Sequence, residues 1–201
     1  MFSAKTYAAR RNMLRTKIGS GIVLFPGNPL SPNNYPNNAY YFRQDSSFLY
    51  YFGLNIPSLA GLIDADTGEE ALYGDDFTVE DIIWTGPQPT LRELGAKVGI
   101  AATHPLSELE KRLRKAISLG RKIHFLPPYR GETKLWLSSL LGIKPALLHD
   151  YKSVDLMFAV AEMREKKSAE EIEEMERAFQ IGYKMHTPVS YTHLRAHETR
   201  H

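Results

Sequence analysis

The chain has 201 residues, of which 43% are hydrophobic and 24% charged, and it contains no cysteine. This composition is typical of globular proteins, and the lack of thiols excludes disulfides, thiolate zinc sites and cysteine catalysis. A formal net charge of +2 is close to neutral and gives no support for binding to nucleic acid or to an anionic membrane, so we expect neither partner. Because the N-terminus lacks the apolar stretch of a signal peptide and no run could span a membrane, we expect a soluble, cytoplasmic protein.

Hydrophobic patterning predicts an alternation of strands and helices. Continuous apolar runs indicate buried strands, and an Asp-Thr-Gly turn at 66–68 joins two of them in a hairpin. Helical periodicity between capping residues and terminal glycines marks the helices. The predicted strands are 21–25, 60–64, 69–73 and 122–126, and the predicted helices are 3–17, 90–99, 107–120 and 133–141. This order predicts an α/β fold with a mixed β-sheet flanked by helices.

The first helix combines a thin apolar stripe with a basic face. Tyr7 and Leu14 belong to the stripe, whereas Arg10, Arg11 and Arg15 are expected to face solvent. A basic helix can contact nucleic acid, but at this net charge a solvated surface face is the expectation.

Residues 40–54, YYFRQDSSFLYYFGL, include seven aromatic residues and one charge pair, Arg43 and Asp45. Rings at this density require a core to enter. We expect Ser46 or Ser47 to cap a short helical turn that ends at Gly53. Arg43 is a candidate donor to Asp45 or to a partner carboxylate. The residues alone therefore favour a structural aromatic corner with one ion pair.

Two further helices are predicted at 153–164 and 168–185. The spacing of apolar residues in the first predicts an inward face formed by Val154, Met157, Phe158 and Ala161. In the second, Ser168 and Glu171 have the spacing of a capping box.

Residues 188–201 break with the composition of the rest of the chain and resemble translated sequencing-adaptor read-through. We expect this tail to be foreign, disordered and dispensable for stability. Residues 197–201 match H-E-x-x-H, in which two histidines one helical turn apart bind zinc, and His193 lies one turn earlier. No third ligand follows His201 in the sequence, so we predict no catalytic zinc site there.

Other metal candidates are weak. Aspartates near the hairpin could ligate a hard cation, but at such a position they more often form turns. The histidines before the tail lack a second ligand at metal spacing, so packing roles are expected. These candidates are Asp64, Asp66, Asp75, Asp76, His104, His124 and His149.

Three stretches together resemble a known family. Residues 42–53, FRQDSSFLYYFG, resemble a signature in the N-terminal domain of Xaa-Pro aminopeptidases (aminopeptidase P), which are grouped with prolidase and creatinase. Residues 83–86, IWTG, and 162–172, EMREKKSAEEI, resemble two further segments of that family in the same order. The resemblance covers residues 1–187.

The resemblance implies a domain organisation. Residues 1–165 would form the ribonuclease H-like N-terminal domain of the creatinase and aminopeptidase P type, and residues 166–187 a linker and the first helix of a missing pita-bread domain. Enzymes of this family release an N-terminal residue that precedes proline, and their two manganese ions are held by aspartate, histidine and glutamate ligands in the pita-bread domain. Those ligands match no position here, so we assign no catalytic or metal-binding residue.

The resemblance also implies roles for three residues. The family's N-terminal domain mediates assembly into homo-oligomers and lends residues to the active-site mouth of a neighbouring subunit. By motif match, Trp84 is the expected substrate-binding position, although its sequence context alone allows either edge-of-core packing or an exposed contact surface. Arg43 and Asp45 match the signature as structural residues without a catalytic role.

We therefore expect an inactive N-terminal fragment of an Xaa-Pro aminopeptidase. The alternative is a stand-alone, non-catalytic assembly or binding module built on the same domain. A reading frame that continues beyond residue 187 into Asp, His and Glu ligands would favour the enzyme, whereas a native stop codon there would favour the module.

Overall fold

A computed structural model describes residues 1–35 and 37–198, with side chains through residue 189. The chain divides into two compact units, the first spanning Met1–Met163 and the second beginning at Arg164. No helix among the described residues is both long and apolar enough to cross a membrane.

A mixed β-sheet forms the centre of the first unit. Within the described part of the chain its strands are β1 (Ile22–Pro26), β2 (Ala60–Asp64), β3 (Glu70–Tyr73), β4 (Ala102–His104) and β5 (Ile123–His124), in the order β4-β3-β2-β1-β5. β2 runs antiparallel to both of its neighbours, and the two outer pairings are parallel. The predicted α/β class and mixed sheet are confirmed, and the short strand β4 is an addition.

Except for the third, which has no buried residue, the helices of this unit cover the two faces of the sheet. They are α1 (Ala4–Ile18), α2 (Ser46–Phe52), α3 (Val79–Thr85), α4 (Leu91–Lys97), α5 (Ser107–Ser118), α6 (Gly131–Leu141) and α7 (Val154–Glu165). Successive strand side chains point to opposite faces. Val23 and Ile63 therefore pack with α1, α2, α4 and α7, whereas Ile22 and Leu62 pack with α5 and α6. Two apolar cores result, one on each face.

The prediction that the arginines of α1 all face solvent is wrong. Arg11 is completely buried and Arg10 is 8% exposed. Arg11 Nε donates to Glu70 Oε2 at 2.7 Å, and its two terminal nitrogens each donate at 3.0 Å, to the carbonyls of Tyr51 and Val98. Each of the three guanidinium nitrogens has an acceptor, which offsets the cost of burying the charge.

The predicted inward face of α7 is also wrong. Val154 and Phe158 are exposed, while Leu156, Ala159, Val160 and Met163 pack into the core with α1 and α2. Apolar residues occur around most of this helix, so their spacing could not select the buried side.

The second unit contains α8 (Ala169–Glu198). The predicted capping box is confirmed, because Ser168 N donates to Glu171 Oε2 at 2.8 Å and Glu171 N donates to Ser168 Oγ at 3.2 Å. The helix continues through Pro188 to Glu198, so the predicted end near residue 185 is wrong, and the backbone at 188–198 is helical where disorder was expected. The histidine side chains of the H-E-x-x-H match lie outside the described residues.

Candidate functional site

Helix α3 is stabilised by hydrogen-bonded caps at its two ends rather than by packing against the core. Thr78 and Asp81 form a capping box: Thr78 N and Oγ1 donate to Asp81 Oδ2 at 2.8 and 2.6 Å, and Asp81 N donates to Thr78 Oγ1 at 3.2 Å. At the other end Gly86, at φ 76°, donates its N–H to the carbonyl of Ile82 at 2.8 Å. Local capping of both ends explains how a helix of seven residues forms without a buried face.

Large apolar side chains of α3 face solvent. Trp84 is 83% exposed, Ile83 75% and Val79 77%, and all seven residues of the helix are exposed. The interpretation of Trp84 as edge-of-core packing is therefore wrong. A contiguous exposed apolar segment of this kind is typical of a contact surface, and an exposed tryptophan is a frequent anchor in such surfaces.

The aromatic corner is built around Gln44, a residue for which we predicted no role. Gln44 is 1% exposed, and its Oε1 accepts hydrogen bonds from the backbone N–H groups of Asn28 at 2.5 Å and Asp45 at 2.8 Å. Its Nε2 donates to the carbonyl of Ile56 at 2.7 Å. The only available signal was its place between Arg43 and Asp45 in the signature. Gln44 joins three backbone segments at this corner.

Asp45 caps α2, and the prediction that Ser46 or Ser47 would cap this turn is wrong. Asp45 Oδ1 accepts from Ser47 N and Phe48 N, both at 2.9 Å. Gly53, in the left-handed conformation, ends the helix as predicted. The buried rings pack closely, with 5.0 Å between the centroids of Phe48 and Phe52.

The predicted pair of Arg43 and Asp45 does not form. In the described part of the chain no ion pair joins them, because Asp45 is engaged as a helix cap and the Arg43 side chain is exposed. The backbone carbonyl of Arg43 accepts a hydrogen bond from Asn28 Nδ2 at 3.0 Å. Likewise, among the described residues no hydrogen bond or ring contact links Trp84 to this corner. The three motif residues therefore do not form one site.

The carboxylates of the hairpin are engaged by arginines. Asp64 is fully buried and accepts from Arg112 Nη2 at 3.0 Å and from Arg121 Nη1 at 2.9 Å. Burial alone would raise the pKa of Asp64, but hydrogen bonds from Arg121 and from backbone N–H groups outweigh that effect and hold the pKa below its usual value. Asp66 also binds Arg121, at 2.8 Å from Nε.

The remaining metal candidates have structural partners too. Asp75 and Asp76 accept backbone N–H groups of Leu106 and Leu91. The His124 side chain is buried, and its Nδ1 lies 2.6 Å from Ser153 Oγ. Burial is the largest of the effects that lower the pKa of His124. Among the side chains that the structure describes, in residues 1–35 and 37–189, no three from His, Asp or Glu cluster so that they could hold a metal ion. These residues do not fit a metal centre, and no metal-dependent step is assigned to them.

Comparison with known proteins places this architecture in a family. The model of the family described as "Aminopeptidase P, N-terminal domain" matches residues 7–146. An uncharacterized peptidase of Saccharomyces cerevisiae is 26% identical over 92% of this chain and 32% of its own length. A probable Xaa-Pro aminopeptidase of Aspergillus flavus is 23% identical over 74% of this chain and 26% of its own length.

Solved structures of Escherichia coli aminopeptidase P share the fold. The low-pH form superposes with a TM-score of 0.75 at 23% identity, over 93% of this chain and 44% of that one. A zinc-substituted form in complex with product gives the same TM-score. The chain thus spans about a third or less of the curated relatives' length and under half of the solved enzyme's. With the family model matching most of its length and the same mixed sheet between helices, the chain belongs to the aminopeptidase P N-terminal domain family.

Proposed function

We propose that this chain is the N-terminal domain of an Xaa-Pro aminopeptidase, whose whole form releases an N-terminal residue that precedes proline. The family match and the named Xaa-Pro aminopeptidases among its relatives support this function. The metal chemistry of the parent, with manganese as the proposed ion, belongs to its catalytic domain. The parent acts in the cytoplasm as a homo-oligomer on peptides with proline in the second position.

Within that enzyme, the domain's own role is to present Trp84 to the active-site mouth of a neighbouring subunit. The observation that carries this proposal is the exposure of α3, whose Trp84, Ile83 and Val79 are each at least three-quarters exposed. A capped helix with no buried face holds an apolar surface for a partner at little cost to the domain's own core. Because a bound peptide also has apolar groups, Trp84 can contact substrate directly at such a mouth.

The test is Trp84→Ala in the full-length parent. Loss of a tryptophan anchor typically costs about 2 kcal/mol or more, so kcat/KM for an X-Pro peptide should fall about 30-fold. Metal content and melting temperature should stay at the wild-type level, because Trp84 packs little against its own domain. Tyr151→Ala, which removes a ring that is 59% exposed outside α3, serves as the matched control. A kcat/KM within twofold of wild type would contradict the proposal.

Subunit mixing tests whether Trp84 acts across the interface. Parent subunits carrying Trp84→Ala are co-assembled with subunits that keep Trp84 but are inactivated in the catalytic domain. If Trp84 serves its neighbour, hybrid oligomers regain activity, since an intact active site then faces an intact tryptophan. If activity in the hybrids stays at the level of Trp84→Ala alone, Trp84 acts within its own subunit.

The second candidate function is a stand-alone, non-catalytic assembly or binding module. The exposure of α3 also favours it, because an apolar surface can bind a partner without any catalytic domain. Sequencing the native transcript separates the two functions. A frame that continues past residue 187 into metal ligands supports the peptidase, and a native stop supports the module.

A further inference from the structure

A cavity lies at one edge of the central sheet, next to the aromatic corner, because its lining residue Gly27 lies beside Gln44. It encloses about 250 Å³ and is lined by Gly27, Pro29, Ser58, Leu59, Leu106, Glu132, Thr133 and Trp136. β1, β3 and β4 all end at this edge, since Pro26 pairs with Ala60, Ala60 with Tyr73, and Tyr73 with His104. The cavity therefore lies outside the carboxyl ends of strands, where open α/β sheets usually bind ligands.

The first turn of α6 supplies the polar wall of this cavity. Glu132, Thr133 and Trp136 are spaced so that they share one side of the helix. Thr133 is 9% exposed, and its hydroxyl has no hydrogen-bond partner among the described residues. The helix also lacks a side-chain cap at Arg130. The hydroxyl oxygen is not among the fully buried polar atoms that lack a partner, so it is open to the cavity and can donate to a ligand group there.

On the opposite wall of the cavity, the backbone is strained at Ser58. In the described chain, Ser58 is the non-glycine residue with positive φ, at 59°, and its N–H donates to the carbonyl of Asn28 at 3.0 Å. Gly27 approaches the same segment closely, because a Cβ there would lie 2.5 Å from the Leu59 carbonyl oxygen. Such strain concentrates at binding sites, where surrounding contacts maintain it.

One carboxylate sets the charge of the cavity mouth. Glu132 is exposed, and its own backbone N–H together with nearby Arg130 holds the pKa of its carboxyl below the usual range. The Arg130 guanidinium lies 3.7 Å from this carboxylate and also donates to Ser31. The mouth thus carries the Glu132 carboxylate with Arg130 beside it, while Leu59, Leu106 and Trp136 provide an apolar interior.

We propose that this cavity binds an apolar amino-acid residue with a free α-amino group, either as a free amino-acid derivative or as the first residue of a peptide. The side chain enters the apolar interior against Trp136, the ammonium pairs with Glu132, and Thr133 donates to the carbonyl oxygen. Binding requires no catalytic domain and no peptide-bond hydrolysis, so its failure and a failure of the peptidase function are separately observable.

The probe is L-leucinamide, titrated into the ¹⁵N-labelled 201-residue chain and followed by NMR. At about pH 6.5 its amine is protonated, since α-amino groups have a pKa of about 7.8. Saturable shifts are expected at Gly27, Ser58 and Thr133. N-acetyl-leucinamide, which lacks the cation, and glycinamide, which lacks the side chain, should each bind at least about tenfold more weakly. A leucine-initiated tripeptide with a C-terminal amide then shows whether the mouth admits a continuing chain.

Two substitutions assign the contacts. Glu132→Gln should weaken leucinamide binding about tenfold or more, and Thr133→Val about threefold to tenfold, because a charged and a neutral hydrogen bond are lost. Glu108→Gln is the matched control, since Glu108 is likewise the second residue of its helix, α5, and is exposed. Equal weakening by Glu108→Gln, absence of saturation, or shifts confined to other parts of the chain would overturn the proposal.

Discussion

Buried charged side chains connect several helices and strands of this domain, and Arg11 is the main example. Arg11 links α1 to β3 through Glu70, to α2 through Tyr51, and to the end of α4 through Val98. These partners are 40 to 87 positions away in the chain. A guanidinium with this many acceptors is satisfied, but removing it leaves those acceptors and Glu70 without their partner.

Arg11→Met should therefore lower the free energy of unfolding by about 3 to 5 kcal/mol, the usual range when one partner of a buried ion pair is removed. Urea denaturation followed by circular dichroism measures this change. Arg15→Met, one turn later on the same helix and not fully buried, should stay within about 0.5 kcal/mol of wild type. If the two variants are equally stable, Arg11 does not join these elements.

Protonation of Asp64 should lower the stability of the domain at acid pH. Its folded pKa lies below its usual value because the hydrogen bonds from Arg121 and the backbone outweigh burial. The unfolded pKa is about 3.9, so the stabilisation is complete above that value and is lost as pH falls through the folded pKa. Between about pH 4 and pH 2, the free energy of unfolding should fall more steeply in wild type than in Asp64→Asn.

Urea titrations at each pH measure these slopes. Asp155→Asn changes an exposed carboxylate that pairs with Lys122 at 3.1 Å, and it should keep the wild-type slope. Parallel slopes in wild type and Asp64→Asn would show that another group controls the acid transition.

At the scale of elements, the short helices differ in what supports them. α4 combines a capping box at Thr90 with buried Leu91 and Leu94, whereas α3 has the capping box and no buried residue. The capping signals are local, so both helices form, but only tertiary contact decides which of them is covered. An element that is capped and uncovered remains available for a partner.

Helix α8 carries another uncovered face. Ile172 is 47% exposed, Met175 44% and Phe179 71%. Exposed apolar stripes promote association, so we expect the 201-residue chain to self-associate through α8 or, where it does not, the helix to fray. The double variant Met175→Ser with Phe179→Ser should shift sedimentation-velocity profiles toward monomer, whereas Lys184→Ser should not. A monomeric wild type with α8 strongly protected from hydrogen exchange would contradict this expectation.

At the scale of the whole molecule, successive side chains of each strand alternate between the two faces of the sheet. The sheet therefore carries an apolar core on each face. The chain with these cores spans 26% to 44% of the relatives' lengths. In its described residues no three side chains of metal-ligand type cluster. In the function proposed above, the domain supplies a scaffold and surfaces, and the metal ligands for hydrolysis come from the catalytic domain of the parent enzyme.

We accordingly expect the purified chain to hydrolyse no X-Pro peptide, with or without manganese. Attack on a peptide bond at neutral pH requires activated water, and a metal lowers the pKa of water from about 16 to about 7. The assay compares the chain with the full-length parent. Turnover that is lost in His197→Ala would place a site in the tail, and turnover unaffected by that change would reveal a site elsewhere in the chain.

Local sequence signals determined most of the helices and strands and indicated the family. The N-cap at Ser3, the capping box at Ser168 and the hairpin of β2 and β3 each depend on residues a few positions apart. Such interactions form within one turn or one hairpin, so their spacing in the chain is sufficient to predict them. The three motifs that indicated the family are equally local.

Only the tertiary structure decided which surfaces are covered. The burial of Arg11 depends on carbonyls up to 87 positions away, and the cavity assembles residues from Gly27 to Trp136. The covered side of α7 and the solvent exposure of Trp84 depend in the same way on where neighbouring elements lie. Periodicity shows where apolar side chains are, but burial depends on long-range packing, which no local spacing contains.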